Sequence, residues 1–314
     1  MKILFTLKIS KEWQMKQQEA YPNDLFFYEK EITNFKQLNE MDCIVTFGGD
    51  ITPDIINRAT QLKWIMVFSA GVDGLPRKEI MDRNILISNV RGIHAIPMAE
   101  FIMSYLLHDV KQLQHFYEAQ KNKEWEFSHP VVELGNKKII VAGAGSIGSQ
   151  IGKFAKVFGM ETIGLNTTGH PVEGFDQTFA MNDLAEIITD ADYFVSVLPK
   201  TKATTGIYDM NFFQSLPKKA VFINIGRGNA VEKAVLERVI AEKTIRHLYL
   251  DVYPDEPLAT ESPIWEATNV TMTPHVSGHT DQYIRRSMEI WLDSLAKFKN
   301  EQPVQNEINL NRGY

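Results

Sequence analysis

Three residues late in the chain carry side chains that do chemistry, and each follows a short apolar run. Arg227 comes at the end of Phe222-Ile223-Asn224-Ile225-Gly226-Arg227-Gly228, Glu256 follows Leu250-Asp251-Val252-Tyr253, and His275 follows Val270-Thr271-Met272-Thr273-Pro274. The planar fork of a glycine-flanked arginine suits bidentate capture of a carboxylate. Ligands of parallel sheets bind outside the carboxyl ends of the strands, which is where these three residues would gather. Taken singly, each also has an ordinary structural reading. Arg227 could be a surface ion-pair partner, Glu256 a solvated loop acid and His275 a satisfied structural histidine.

A fourth feature is a spacing. The run Lys138-Ile139-Ile140-Val141-Ala142 leads into Gly143-Ala144-Gly145-Ser146-Ile147-Gly148, a G-x-G-x-x-G. Ile147, Ile151, Phe154, Ala155 and Phe158 then recur on one helical face. Strand, glycine turn and helix form the context that a dinucleotide fingerprint requires. Gly143 permits the tight turn, Gly145 admits a pyrophosphate against the backbone, and Gly148 lets helix and strand pack closely. Free N–H groups at Ser146 and Ile147, with the positive end of the helix dipole, would hold the phosphates. The next strand ends in Leu165-Asn166-Thr167-Thr168, so Asn166 stands where NAD-preferring domains carry an acid for the ribose 2′-OH. Without a carboxylate a 2′-phosphate is not repelled, and Asn166, Thr167 and Thr168 can donate to it. NADP(H) is therefore expected over NAD(H), although no arginine completes the clamp and only Lys200 might approach.

The elements that must position these residues are legible as alternation. Short apolar runs at Ile3–Leu7, Leu25–Tyr28, Cys43–Phe47, Trp64–Phe68 and Ile85–Ser88 alternate with amphipathic stretches such as Lys11–Ala20. The pattern resumes after residue 137 and predicts parallel sheets flanked by helices. A long helix is predicted from about Pro97 to Gln120, its apolar residues read mostly as core packing, with Met103, Phe116 and Tyr117 also available to a subunit interface. The apolar face of Thr280–Asn300 is expected to return to the first domain. The expected fold is α/β with two doubly wound parallel-sheet domains, a Rossmann domain at 98–280 inserted in a flavodoxin-like one at 1–97 and 281–314. A chain of 314 residues suits two such cores. Its net charge of −6 gives no footprint for nucleic acid, and no apolar run reaches the length of a membrane span. The lone Cys43 reads as a buried strand residue in a reducing cytoplasm. Histidine spacing gives no metal-ligand pattern, so no metal is expected. His94 and His279 lie near site loops and are weaker candidates than His275.

Taken in order, these stretches resemble the D-isomer-specific 2-hydroxyacid dehydrogenase family. The matching pieces are Ser69-Ala70-Gly71-Val72-Asp73, Gly143 to Gly148, Leu198-Pro199-Lys200-Thr201, Asn224 to Gly228, Leu250 to Tyr253 with Glu256-Pro257-Leu258, Ser262-Pro263-Ile264-Trp265 and Thr273-Pro274-His275. The resemblance implies a reductase of small 2-oxo acids such as glyoxylate or hydroxypyruvate, working as a homodimer. It implies that Arg227 holds the substrate carboxylate and polarises the 2-oxo group, aided by backbone N–H groups at Ala70 and Gly71. It makes His275 the acid in reduction and the base in oxidation, with Glu256 paired to its imidazole. Leu198, Pro199, Ile225, Gly226, Asp251, His275 and Gly278 would line the cofactor, Asp251 at its nicotinamide end. Specificity would come from side chains near Ala70, Met98 and Trp291. The same fold also serves dinucleotide-sensing corepressors, an alternative that the lack of a basic patch disfavours. Formate dehydrogenases resemble the family too but carry glutamine where Glu256 stands.

Overall fold

The computed structural model describes residues 1–69, 71–72 and 74–310. The chain separates into two compact units, Met1–Ile93 with Thr280–Tyr314, and His94–His279.

The first unit holds a parallel sheet of β1 (Lys2–Phe5), β2 (Leu25–Tyr28), β3 (Cys43–Thr46), β4 (Trp64–Val67) and β5 (Leu86–Asn89). The order β2-β1-β3-β4-β5 is that of flavodoxin-like sheets. Every residue of β3 and β4 is buried, as expected of strands covered on both faces. Cys43 is among them, and burial pushes its thiol well up. Helices α1 (Lys11–Ala20) and α2 (Pro53–Arg58) begin where Ser10 and Thr52 accept N–H bonds from Trp13 and Ile55. The helix Tyr283–Lys299 belongs to this unit. Its Trp291 is wholly buried, 5.1 Å from the ring of Trp64 and edge-on to Phe5, and its indole N–H donates to Gln17 at 3.1 Å. Trp291 is thus a core residue of the first unit rather than a pocket wall. Its large apolar ring wins more from burial than a pocket edge would return.

The second unit holds β6 (Lys138–Ala142), β7 (Glu161–Asn166), β8 (Gln177–Ala180), β9 (Tyr193–Ser196), β10 (Val221–Asn224), β11 (His247–Leu250) and β12 (Val270–Met272). All pair in parallel in the order β12-β11-β10-β9-β6-β7-β8, the doubly wound order of dinucleotide-binding sheets. One face is filled by an aromatic cluster of Phe194, Tyr208, Phe212, Phe213 and Phe222. The other face packs Ile139, Val141, Val195 and Ile223 with Ile102, Leu106 and Ile151.

The long helix expected from Pro97 to Gln120 is two helices, Ala95–Val110 and Leu113–Asn122. The break lies at Gln112, which is left-handed at φ +53° and bonds back to the Asp109 carbonyl through both its backbone and side-chain N–H groups. Asp109 is itself anchored. Both its oxygens receive Arg246, at 2.6 and 2.7 Å, and the Tyr193 hydroxyl donates at 2.7 Å. Burial would raise this carboxyl, but those bonds outweigh it and hold it below the usual carboxylate range. Met103, offered as an interface residue, is buried in the core, while Tyr117 is exposed. After β8 the chain makes three short turns, Met181–Asp183, Leu184–Ile187 and Ile188–Asp190, the first started by Asp183 accepting the Ala180 N–H. No described helix is long and apolar enough to cross a membrane.

Candidate active site

Strand register brings the predicted site residues to one edge. Leu165, Ala142, Ser196, Asn224, Leu250 and Met272 are successive partners across six strands. Each strand gives up its site residues just beyond this row: Asn166, Gly143, Leu198, Ile225 to Arg227, Asp251 and His275. Arg227, Tyr253 and His275 stand at the same remove, three residues past Asn224, Leu250 and Met272.

At the β6 end the site is shaped by missing side chains. Gly143 is left-handed at φ +101°, and a Cβ there would lie 2.9 Å from the Val197 carbonyl oxygen. A Cβ on Gly148 would lie 2.3 Å from the Gly143 carbonyl oxygen, so strand and helix can touch only at glycine. A Cβ on Gly145 would instead enter open space. Helix Ser146–Val157 starts there with no side-chain cap, Ser146 is exposed and Ile147 half-buried. An uncapped helix start beside open space suits a pyrophosphate, so these residues fit a dinucleotide. The neighbouring loops close in by the same device. A Cβ on Gly226 would lie 2.7 Å from both backbone N and O of Leu198, which leaves Leu198 and Ile225 buried and Pro199 exposed.

Asn166 does more for its own loop than its position foretold. Its side-chain oxygen accepts from the N–H groups of Thr168 and Gly169 at 3.0 and 2.7 Å, and its amide donates to the His170 carbonyl at 2.8 Å. The amide is largely committed to the turn, an Asx-type arrangement. Thr167 and Thr168 are exposed, and the Thr168 hydroxyl meets His170 Nδ1 at 3.0 Å.

At the β10–β12 end, side chains meet. Glu256 Oε2 lies 2.7 Å from His275 Nδ1, and its Oε1 accepts the Tyr253 N–H at 2.9 Å. His275 is left-handed at φ +57°, a conformation a non-glycine residue holds only when neighbours impose it. Asp251, wholly buried, imposes it. Its carbonyl accepts the His275 N–H at 2.8 Å, and its carboxylate accepts the N–H groups of Val276 and Ser277 at 2.9 and 3.0 Å. Beside the Glu256–His275 pair lies an apolar cavity of about 510 Å³ walled by Tyr253, Pro257, Leu258, Trp265, Met272 and Pro274. Asn224 shapes the Arg227 turn by accepting from Gly226 and donating to the Arg227 carbonyl.

His94 earns more weight than its sequence position gave it. It is buried, and burial together with the Arg227 cation pushes its ring down to about 4. It therefore sits neutral beside Arg227, and a Cβ on Gly278 would press on it at 3.2 Å. Only proximity in the fold reveals this; His94 lies 133 positions before Arg227. Gly71 is half-buried in the loop after β4 of the first unit, and Ala70 lies outside the described residues.

Among the described residues one group has the residue types of a metal site, His115, Glu126 and His129. The two imidazoles are stacked at 3.6 Å with planes 15° apart. An ion about 2.1 Å from a nitrogen of each ring would lie far out of both planes. The group is better described as a histidine stack tied to a carboxylate, with His115 Nε2 at 2.9 Å from Glu126.

Comparison with known proteins agrees with this geometry. Residues 103–277 match the NAD binding domain of the D-isomer specific 2-hydroxyacid dehydrogenases. The chain is 29% identical over 279 residues to an uncharacterized protein of Corynebacterium melassecola, covering 86% of this chain and 89% of that one. It is 25% identical over 320 residues to a glyoxylate reductase of Thermococcus onnurineus, covering 98% and 96%. The crystal structure of a D-isomer specific 2-hydroxyacid dehydrogenase family protein from Aeromonas salmonicida superposes with a TM-score of 0.87 at 27% identity, over 98% of each chain. The match spans more than half of the chain and contains the glycine turn, Arg227 and the Glu256–His275 pair: the protein belongs to the D-isomer specific 2-hydroxyacid dehydrogenase family, oxidoreductases that act on CH–OH groups.

Proposed function

We propose that this protein reduces small 2-oxo acids of the glyoxylate or hydroxypyruvate type to D-2-hydroxy acids, with NADP(H) preferred over NAD(H). The observation that carries this is the 2.7 Å contact of Glu256 with His275 Nδ1, on the sheet edge shared by Arg227 and the glycine turn. The reduced nicotinamide, when bound, supplies the hydride for carbon 2. Arg227 holds the substrate carboxylate in its fork and offers positive charge to the 2-oxo oxygen. Glu256 fixes the imidazole through Nδ1 and leaves Nε2 to give a proton in reduction and take it back in oxidation. Gly143, Gly145, Ser146, Ile147 and Gly148 seat the pyrophosphate. Leu198, Pro199, Ile225, Gly226 and Gly278 line the rest of the cofactor, whereas Asp251, expected at its nicotinamide end, is wholly buried and holds the loop that carries His275 instead. The unit formed by the chain's two ends serves as the substrate-binding part.

The preference for NADP(H) rests on Asn166, which removes the carboxylate that would repel a 2′-phosphate, and on the exposed hydroxyls of Thr167 and Thr168. A homodimer is supported by apolar side chains left in solvent on helix Leu113–Asn122 and the loop after it. Trp125 is 96% exposed and Phe127 88%. Light scattering of the purified chain should return twice the monomer mass, and a monomer would overturn the dimer.

The reaction is tested by following the reduced-nicotinamide absorbance with NADPH and NADH against a panel of 2-oxo acids. NADPH oxidation with at least one short 2-oxo acid is expected. A tenfold or greater preference for NADH would overturn the cofactor assignment, and no turnover with any 2-oxo acid would overturn the reaction.

A further inference from the structure

We propose that Thr273 and Tyr105 are positioning residues for His275, acting through Asp251 by a relay of hydroxyls. This rests on His275 being the proton-transfer residue of the proposed reaction. The relay runs from helix Ala95–Val110 to the sheet edge. Thr273 Oγ1 lies 2.6 Å from Asp251 Oδ1 and 2.6 Å from the Tyr105 hydroxyl. A carboxylate only accepts, so the single Thr273 proton goes to Asp251, and Tyr105 must donate to Thr273. Burial raises the Tyr105 phenol far above its ordinary value, so it remains a donor at any physiological pH. The Tyr105 ring is fixed in turn, 4.6 Å from Tyr249 and edge-on to Phe101.

The consequence falls on His275. Asp251 is wholly buried, and its two oxygens hold the Val276 and Ser277 N–H groups while its carbonyl holds that of His275. Those three bonds oppose the strain of the left-handed backbone at His275. With the Thr273 hydroxyl in place, Oδ1 has a second donor beside the Val276 N–H, and the carboxylate is held in one orientation. Tyr105, by occupying a Thr273 lone pair, keeps the Thr273 proton aimed at Asp251. Tyr105 does not touch the loop, and the Thr273 side chain, at the loop's start two residues before His275, points its proton to Asp251, so their effect is on where His275 stands.

The test compares Thr273→Val, Thr273→Ser and Tyr105→Phe with the wild type in two measurements. The first is hydrogen exchange of the His275, Val276 and Ser277 amides in the cofactor-free protein. The second is turnover with NADPH and a 2-oxo acid. Thr273→Val should speed exchange at those amides about tenfold, and lower kcat about 10- to 100-fold while leaving the substrate KM within about twofold. Tyr105→Phe should do the same to a smaller degree, about three- to tenfold in kcat. Thr273→Ser keeps the hydroxyl and should restore both readouts. Unchanged exchange and turnover in Thr273→Val overturn the proposal. So does a Thr273→Ser variant as impaired as Thr273→Val, since the loss would then follow the methyl and not the hydroxyl. If the wild type itself turns over no 2-oxo acid, that failure belongs to the proposed reaction, and the exchange measurement alone decides the relay.

Discussion

The two ends of the second unit's sheet edge are positioned by opposite means. Around β6 the shape comes from side chains that are absent, with backbone meeting backbone at Gly143 and Gly148. Around β10 to β12 it comes from side chains that are present, with buried Asp251 and Asn224 and half-buried Thr273 holding the turns that carry His275 and Arg227. The first kind tolerates no added atom, because a carbonyl cannot yield. The second adds to such contacts a dependence on buried donors and acceptors, and fails when one is lost.

The contrast can be broken most severely at a glycine. Gly148→Ala places a methyl 2.3 Å from the Gly143 carbonyl oxygen, so helix and strand must part. Loss of measurable cofactor binding is expected, with a stability cost of about 1–3 kcal/mol from overpacking. Fluorescence titration with NADPH and denaturant unfolding check both. Arg227→Ala sits at the other end and should behave in the opposite way. Cofactor affinity should stay within a few-fold while kcat/KM for the 2-oxo acid falls about 10²- to 10³-fold. Equal loss of cofactor binding in both variants would erase the distinction.

The difference also decides what could be read from the sequence. The glycine spacing announces itself within six residues, because steric exclusion is local and repeats in fixed register. The alternation of apolar runs likewise discloses both sheets, since the central strands bury both faces. The Asp251 network leaves no such trace. Tyr105 and Thr273 are 168 residues apart, and nothing in either segment foretells that their hydroxyls meet. The same holds for His94, whose weight comes from lying buried near Arg227. Trp291 lies in the first domain as its amphipathic face foretells, but the face does not say whether the ring packs in the core or lines a pocket. The helix break at Gln112 leaves no glycine or proline in the sequence to announce it, since it is made by a left-handed Gln112 whose backbone and side-chain N–H groups return to the Asp109 carbonyl.

A smaller effect follows from two neutral histidines. Burial, aided by Arg227, pushes His94 down to about 4, and burial likewise lowers His247 to about 4. Both folded values lie below the unfolded one near 6.5, so the unfolded chain takes up protons that the folded one refuses. Stability is therefore full above pH 6.5 and falls as pH drops towards 4, by on the order of 2–3 kcal/mol for each group. Denaturant midpoints between pH 7 and 4 should show this decline, and His94→Gln with His247→Gln should flatten it. An unchanged slope in the double variant would contradict the assignment.

The most direct test is His275→Ala, assayed for NADPH binding and for reduction of a 2-oxo acid that the wild type turns over. Cofactor affinity within a few-fold of wild type and turnover reduced about 10²- to 10⁴-fold are expected of a residue that only moves the proton. Near-normal turnover in His275→Ala would contradict the role given to the Glu256–His275 pair.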